Sequence, residues 1–176
     1  SGLRSQWEAA CCGQTEIECF NVWARELATT GYLHNHARMW FASIWIFTLN
    51  LPWTLGADFF LRHLLDGDPA SNTLGWRWVA GIQTVGKTYL ARPDNIAKYT
   101  DGRFNPTGLA TFAAPLDAPP VPERTPVRHS DPLPRGKVGL LISEDDLTPE
   151  WLLTQFPTPP AAIAALNGSQ FRSPLA

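Results

Sequence analysis

Residues Gly31 to Trp78 read GYLHNHARMWFASIWIFTLNLPWTLGADFFLRHLLDGDPASNTLGWRW, and this stretch decides the fold. Asn35, Arg38, Asp66, Asp68 and Asn72 stand at helical spacing inside sequence that is otherwise almost wholly apolar. A buried charge or amide without a partner is strongly destabilising. An Arg and two Asp in such surroundings should therefore pair with one another or with a ligand. Tryptophans crowd the same stretch, at positions 40, 45, 53, 76 and 78. The combination points to a buried polar ligand carrying a large flat ring.

Working outward, apolar periodicity gives a series of helices. Thr15 to Thr29 forms one that stops at Gly31, with Ile17, Phe20, Trp23 or Ala24, and Leu27 facing inward. A second runs from His34 to Leu49 and ends before Pro52. Its part from Met39 to Leu49 is apolar around the whole circumference, which marks a core helix, and is too short to span a bilayer. A third begins near Thr54 as N-cap and carries Phe59, Phe60, Leu61, Leu64 and Leu65 to the Asp66-Gly67-Asp68-Pro69 turn. A fourth holds Leu74 to Gln83. Four helices with short connections and no clear strand predict an all-α helical bundle.

Beyond the bundle the pattern weakens. Gly86 to Asn105 reads as loop and isolated turns, and 113–136 is Pro-rich, an extended linker. Lys137 to Ser143 reads as one buried strand, followed by Asp145 and Asp146 and a short helix around Thr148 to Gln155. A strand cannot stand alone, so this tail is expected to be the start of an α/β unit or to dock on the bundle. The predicted organisation is a bundle over 1–105, a Pro-rich linker over 106–136 and an α/β-like segment over 137–176, in a fragment open at both ends.

Composition agrees with this asymmetry. Seven of the eight Trp precede residue 80, whereas 13 of the 16 Pro follow residue 105. The net charge of −2 gives no global attraction to nucleic acid or membrane, so any phosphate contact must come from a local patch. Cys11, Cys12 and Cys19 are an odd set without metal-ligand spacing, read as reduced thiols of a cytoplasmic protein; a monomer is expected. His34, His36, His63 and His129 have no metal-like spacing either, and no metal is expected.

Asn35, Arg38 and Met39 lie at i, i+3 and i+4 and share one helix face. They read equally as a pocket wall and as a structural ion pair with Met filling a gap. The Asp66–Pro69 turn alone reads as the solvated end of a helix. Asn72 and Trp76 are again i and i+4, with Trp78 on the opposite side of the helix from Trp76.

Together these residues resemble the C-terminal half of the FAD-binding helical domain of the photolyase/cryptochrome family. The family segment has the form T-G-(aromatic)-x-H-N-x-x-R-M, then W near G-x-x-x-F, then D-G-D-x-x-x-N-x-x-x-W-x-W. Here it stands as Thr30-Gly31-Tyr32-Leu33-His34-Asn35-His36-Ala37-Arg38-Met39, then Trp53, then Asp66-Gly67-Asp68 through Asn72 to Trp76 and Trp78. The likeness covers about residues 13 to 84.

The resemblance implies FAD as cofactor, held by Arg38, Asp66, Gly67, Asp68 and Asn72. Asp66 and Asp68 would lie beside the isoalloxazine ring and ribityl chain, Arg38 would pair with Asp66, and Asn72 would face flavin N5. Trp76 would be the first electron donor to photoexcited flavin and Trp53 the second. Asn35, Met39 and Trp78 match positions that contact a flipped pyrimidine dimer, and His36 falls where the family often places an Arg that touches DNA. The activity so implied is light-driven splitting of cyclobutane pyrimidine dimers in DNA by one electron from reduced FAD. Two alternatives stand beside it: a cryptochrome-type blue-light photoreceptor, and an inactive helical remnant.

The chain also departs from the pattern. The family's third relay tryptophan, its Ser/Thr-Arg phosphate segment and its acidic dimer-reading residue fall before residue 1. The segment P-Y-F-R-x-F-N-P is replaced by Gly86-Lys87-Thr88-Tyr89-Leu90-Ala91-Arg92-Pro93-Asp94-Asn95. Asn35 stands where the (6-4) branch has a second histidine, which favours dimer chemistry. Weak or no FAD retention by these 176 residues alone is the expectation.

Overall fold

The computed structural model describes residues 2–118, 123–143 and 148–166. They fall into two compact units, 1–120 and 121–176. The first is helical: α1 (Gly2–Cys11), α2 (Glu18–Thr30), α3 (Asn35–Ser43), α4 (Trp53–His63), α5 (Pro69–Val79) and α6 (Pro93–Tyr99). The second holds β1 (Gly139–Ile142), α7 (Glu150–Leu153) and β2 (Ala162–Ala165). The chain is thus mostly helical, as its periodicity predicts. No helix among the described residues is long and apolar enough to cross a membrane.

α2 ends where Gly31 takes a left-handed turn at φ 70°, its N–H bonded to the Leu27 carbonyl at 2.9 Å. A side chain at 31 would be strained there and would also meet Leu65, whose Cγ lies 2.5 Å from an added Cβ. The Leu65 N–H closes this contact by donating to the Gly31 carbonyl at 3.0 Å. One glycine therefore fastens the α4–α5 turn, which carries Asp66 to Asp68, beside the start of α3. That clasp brings two distant stretches of sequence to one place.

α3 runs directly into a single π-helical turn, Ile44–Thr48. Here Trp40 to Ile46 are all buried, matching the apolar circumference of the sequence. Phe20, Leu27, Leu33, Phe41, Ile44, Trp45 and Ile96 form the sealed centre of the core. Phe20 and Phe41 stack with centroids 4.2 Å apart, and Phe41 and Trp45 stack at 5.9 Å. Ser43 is the polar residue of this core, and its Oγ accepts the Ala91 N–H at 2.8 Å.

Several boundaries differ from the sequence reading. Thr54 is not the cap of α4: Pro52, with φ −55° and ψ 128°, precedes a helix that already includes Trp53. α5 begins five residues before the predicted Leu74, because Asp68 caps it by accepting the Ser71 N–H at 2.7 Å and Pro69 presets the first turn. The stretch read as loop contains α6, which Pro93 starts and buried Ile96 anchors. α1, which the periodicity did not mark, packs Ala10 and part of Trp7 into the core. The segment from residue 106 begins by packing on the bundle: Leu109 is buried, and the Leu116 N–H donates to the Ala80 carbonyl at 3.0 Å.

In the second unit a strand forms at 139–142, within the stretch read as one, and finds a partner within its own segment, but it is partly exposed instead of buried. β1 and β2 pair in parallel, Gly139 opposite Ala162 and Ile142 opposite Ala165, with α7 between them. This is a βαβ unit in miniature. Asp145 and Asp146 lie outside the described residues. Cys11 and Cys19 are free thiols, and burial pushes both up to about 12, so they are protonated at neutral pH.

Candidate flavin and substrate cavity

A cavity of about 330 Å³ opens between α3, the α4–α5 turn and α5. Its lining includes Asn35, Arg38, Met39, Asp66, Gly67, Asp68, Asn72, Trp76 and Trp78. Nine of the residues singled out in the sequence thus surround one space. The size is that of a small-molecule site.

Arg38 is the hinge of the polar side. Its Nη2 donates to both Asp66 carboxylate oxygens at 3.1 Å, and its Nε donates to the Leu33 carbonyl at 2.8 Å. The guanidinium is held at both ends, which fixes it despite a long side chain. The Arg38 side chain is 24% exposed and that of Asp66 63%. The ion pair expected to be buried therefore stands at the cavity mouth, where water relieves the desolvation that burial would impose. Asp68 is likewise exposed and serves as the α5 cap.

Asn72 is oriented by one bond. Its Nδ2 donates to the Ala57 carbonyl of α4 at 2.7 Å. A carbonyl only accepts, so this bond fixes which end of the amide is which and leaves the Asn72 oxygen free as an acceptor.

Trp76 is buried, 2% exposed, and its indole nitrogen finds no hydrogen-bond acceptor among the described residues. Its place is set by Gly56, where an added Cβ would lie 2.2 Å from Trp76 Cη2. Phe60, Trp45 and Phe41 meet it edge to face, at 5.1, 6.1 and 6.5 Å between centroids. Trp78 on the other side of α5 is 38% exposed and tilts against Tyr89 at 5.4 Å. Burial raises the Tyr89 hydroxyl above its ordinary pKa.

Two predicted residues do not reach this cavity. His36 lies on the other side of α3, in a second groove of about 470 Å³ with Trp23, Trp40, Tyr99 and Arg103, its ring 4.9 Å from Tyr99. The reason is helical phase: one residue from Asn35 is a turn of about 100° on an α-helix. Trp53 is half-buried at the first turn of α4 and packs against the core. Conversely, the sequence reading passed over Phe60, Gly56 and Trp45 as neighbours of Trp76. The i, i+4 spacing of Gly56 and Phe60 was the available signal.

Residues 3–108 match the family model for the FAD binding domain of DNA photolyase. The chain belongs to the photolyase/cryptochrome family. FAD is the cofactor of this domain type. A deoxyribodipyrimidine photo-lyase of Streptomyces griseus is 52% identical over 78 residues, 44% of this chain and 16% of that protein. One of Vibrio cholerae is 31% identical over 114 residues, 61% of this chain and 24% of that protein. A cryptochrome DASH of Idiomarina loihiensis is 31% identical over 113 residues, 63% of this chain and 24% of that protein. The chain spans a quarter or less of the length of these photolyase-family relatives.

Proposed function

We propose that this chain is part of a light-driven DNA repair flavoprotein that splits cyclobutane pyrimidine dimers. The observation that carries the reading is convergence. Residues from 35 to 39 and from 66 to 78 meet around one cavity, with a charged rim, an oriented amide and two indoles.

The residues fit a flavin. The Asn72 oxygen is an acceptor held in place for a ring N–H, and the buried Trp76 N–H lacks an acceptor among the protein groups described. Arg38 and Asp66 offer a paired donor and acceptor edge for a polar ring or chain, with Asp68 at the same mouth. When bound and reduced, FAD supplies the light-activated electron. Arg38, Asp66, Gly67, Asp68 and Asn72 then bind and orient, Trp76 donates to the oxidised cofactor, and Trp53 lies further along the relay.

Asn35, Met39 and Trp78 share the cavity and suit the extruded bases. Trp78 presents a partly exposed indole face, a stacking platform for a base that has left the duplex. Met39 adds soft apolar surface and Asn35 both a donor and an acceptor. His36, on the neighbouring groove, suits flanking DNA instead of the flipped dimer. A photoreceptor remains the second reading, since one relative is named a cryptochrome. Met39 and Trp78 favour repair, because the flavin alone has no need of them.

The test uses the flavin-loaded protein with its flavin reduced beforehand. Trp78→Ala should weaken binding of dimer-containing DNA by about 1–3 kcal/mol, the worth of a base-stacking contact, and lower repair accordingly. Unchanged affinity together with no repair by the unaltered protein would leave the photoreceptor reading.

A further inference from the structure

Of the three rings that Trp76 meets edge to face, Phe60 and Phe41 are phenyl groups and Trp45 is an indole. Indole gives up an electron far more readily than a phenyl ring. Trp45 is therefore the oxidisable neighbour that Trp76 touches, with centroids 6.1 Å apart and planes at 84°. It is fully buried, and its N–H donates to the Pro52 carbonyl at 2.9 Å. Pro52 immediately precedes Trp53. One hydrogen bond and one peptide unit thus join the Trp45 indole to the backbone of Trp53, the half-buried residue at the start of α4.

We infer that Trp45 is a relay station between Trp76 and Trp53. The inference rests on the proposed donor role of Trp76. A hydrogen bond from an N–H to a carbonyl strengthens when the ring becomes a cation, and so favours the charged form. Trp45 has that bond, to the Pro52 carbonyl. A positive hole that leaves Trp76 for Trp45 is therefore stabilised where it arrives. The balance is one electron throughout: it passes from Trp76 to the light-excited oxidised flavin, from Trp45 to Trp76, and from Trp53 to Trp45. A soluble thiol reductant refills Trp53. No bond breaks, and the Trp45 proton stays on nitrogen, because a carbonyl oxygen is too weak a base to take it.

A merely structural Trp45 would matter for folding and leave the radical alone. Flash photolysis of the flavin-loaded, oxidised protein with polarised detection of the tryptophan radical separates these cases. Trp45→Phe, at matched flavin content, should shorten the radical lifetime about tenfold as the hole falls back from Trp76. Trp53→Phe should preserve the first hop, seen as a change of polarisation because the two indole planes lie 84° apart. Unaltered lifetime and polarisation in Trp45→Phe would overturn the inference. Should Trp45→Phe lose its flavin, Trp53→Phe decides: no hop out of Trp76 in that variant also overturns it. Trp76→Phe is the control, and undiminished photoreduction there would sink the proposed donor role and this inference with it.

Discussion

In residues 1–120 Phe20, Phe41, Trp45, Leu27 and Ile96 are sealed from solvent within one hydrophobic core, where the rings of Phe20, Phe41 and Trp45 pack on one another. In residues 121–176 no described residue is buried, and Leu141, Trp151 and Ile163 stand 60%, 64% and 53% exposed. Both regions have regular secondary structure, but it is held differently. The bundle gains from burial, which scales with apolar area removed from water. The βαβ unit rests on the ladder between two four-residue strands, and so short a sheet without a covered face is only marginally stable. A site that must hold a ring in register belongs in the first kind of structure, and the cavity lies there.

The sharpest way to break this contrast is a pair of truncations. Phe41→Ala should cost about 3–5 kcal/mol in denaturant unfolding, because Phe41 touches five aromatic neighbours with no slack. Leu141→Ala should stay within about 0.5 kcal/mol by the same measurement. Comparable losses would mean that the second unit has a core after all.

A smaller effect separates the bundle's core from its polar rim. Asp68→Ala removes the α5 cap and should cost about 1 kcal/mol, while Asp68→Asn, which can still accept the Ser71 N–H, should retain most of it. Thermal midpoints of the two variants compare them directly. The smallest effect is at the Arg38–Asp66 pair. A double-mutant cycle with Arg38→Met and Asp66→Asn should give a coupling of about 0.2–1 kcal/mol, since Asp66 is largely exposed. A coupling several times larger would place the pair in a drier site than its exposure indicates.

Much of the first region was legible residue by residue. The stop at Gly31, the sealed run from Trp40 to Ile46 and the opposite sides of Trp76 and Trp78 all follow from helical period and glycine stereochemistry. Capping was less legible. Thr54 has the better chemistry for an N-cap, but Pro52 sets the backbone first, and Asp68 caps a helix that apolar spacing alone starts too late. α6 is one short helix of seven residues, too brief for a period to stand out.

The sequence by itself determined which residues share a helix face, and the matched motif set out most of the cavity's polar and indole lining. It could do so because helical period is a local property. Only the tertiary structure decided that the charged pair stands at an open mouth and that Trp45 is the indole against Trp76. These depend on how helices distant in sequence are clasped together, by Gly31 against Leu65 and Gly56 against Trp76, and no spacing along the chain encodes that approach.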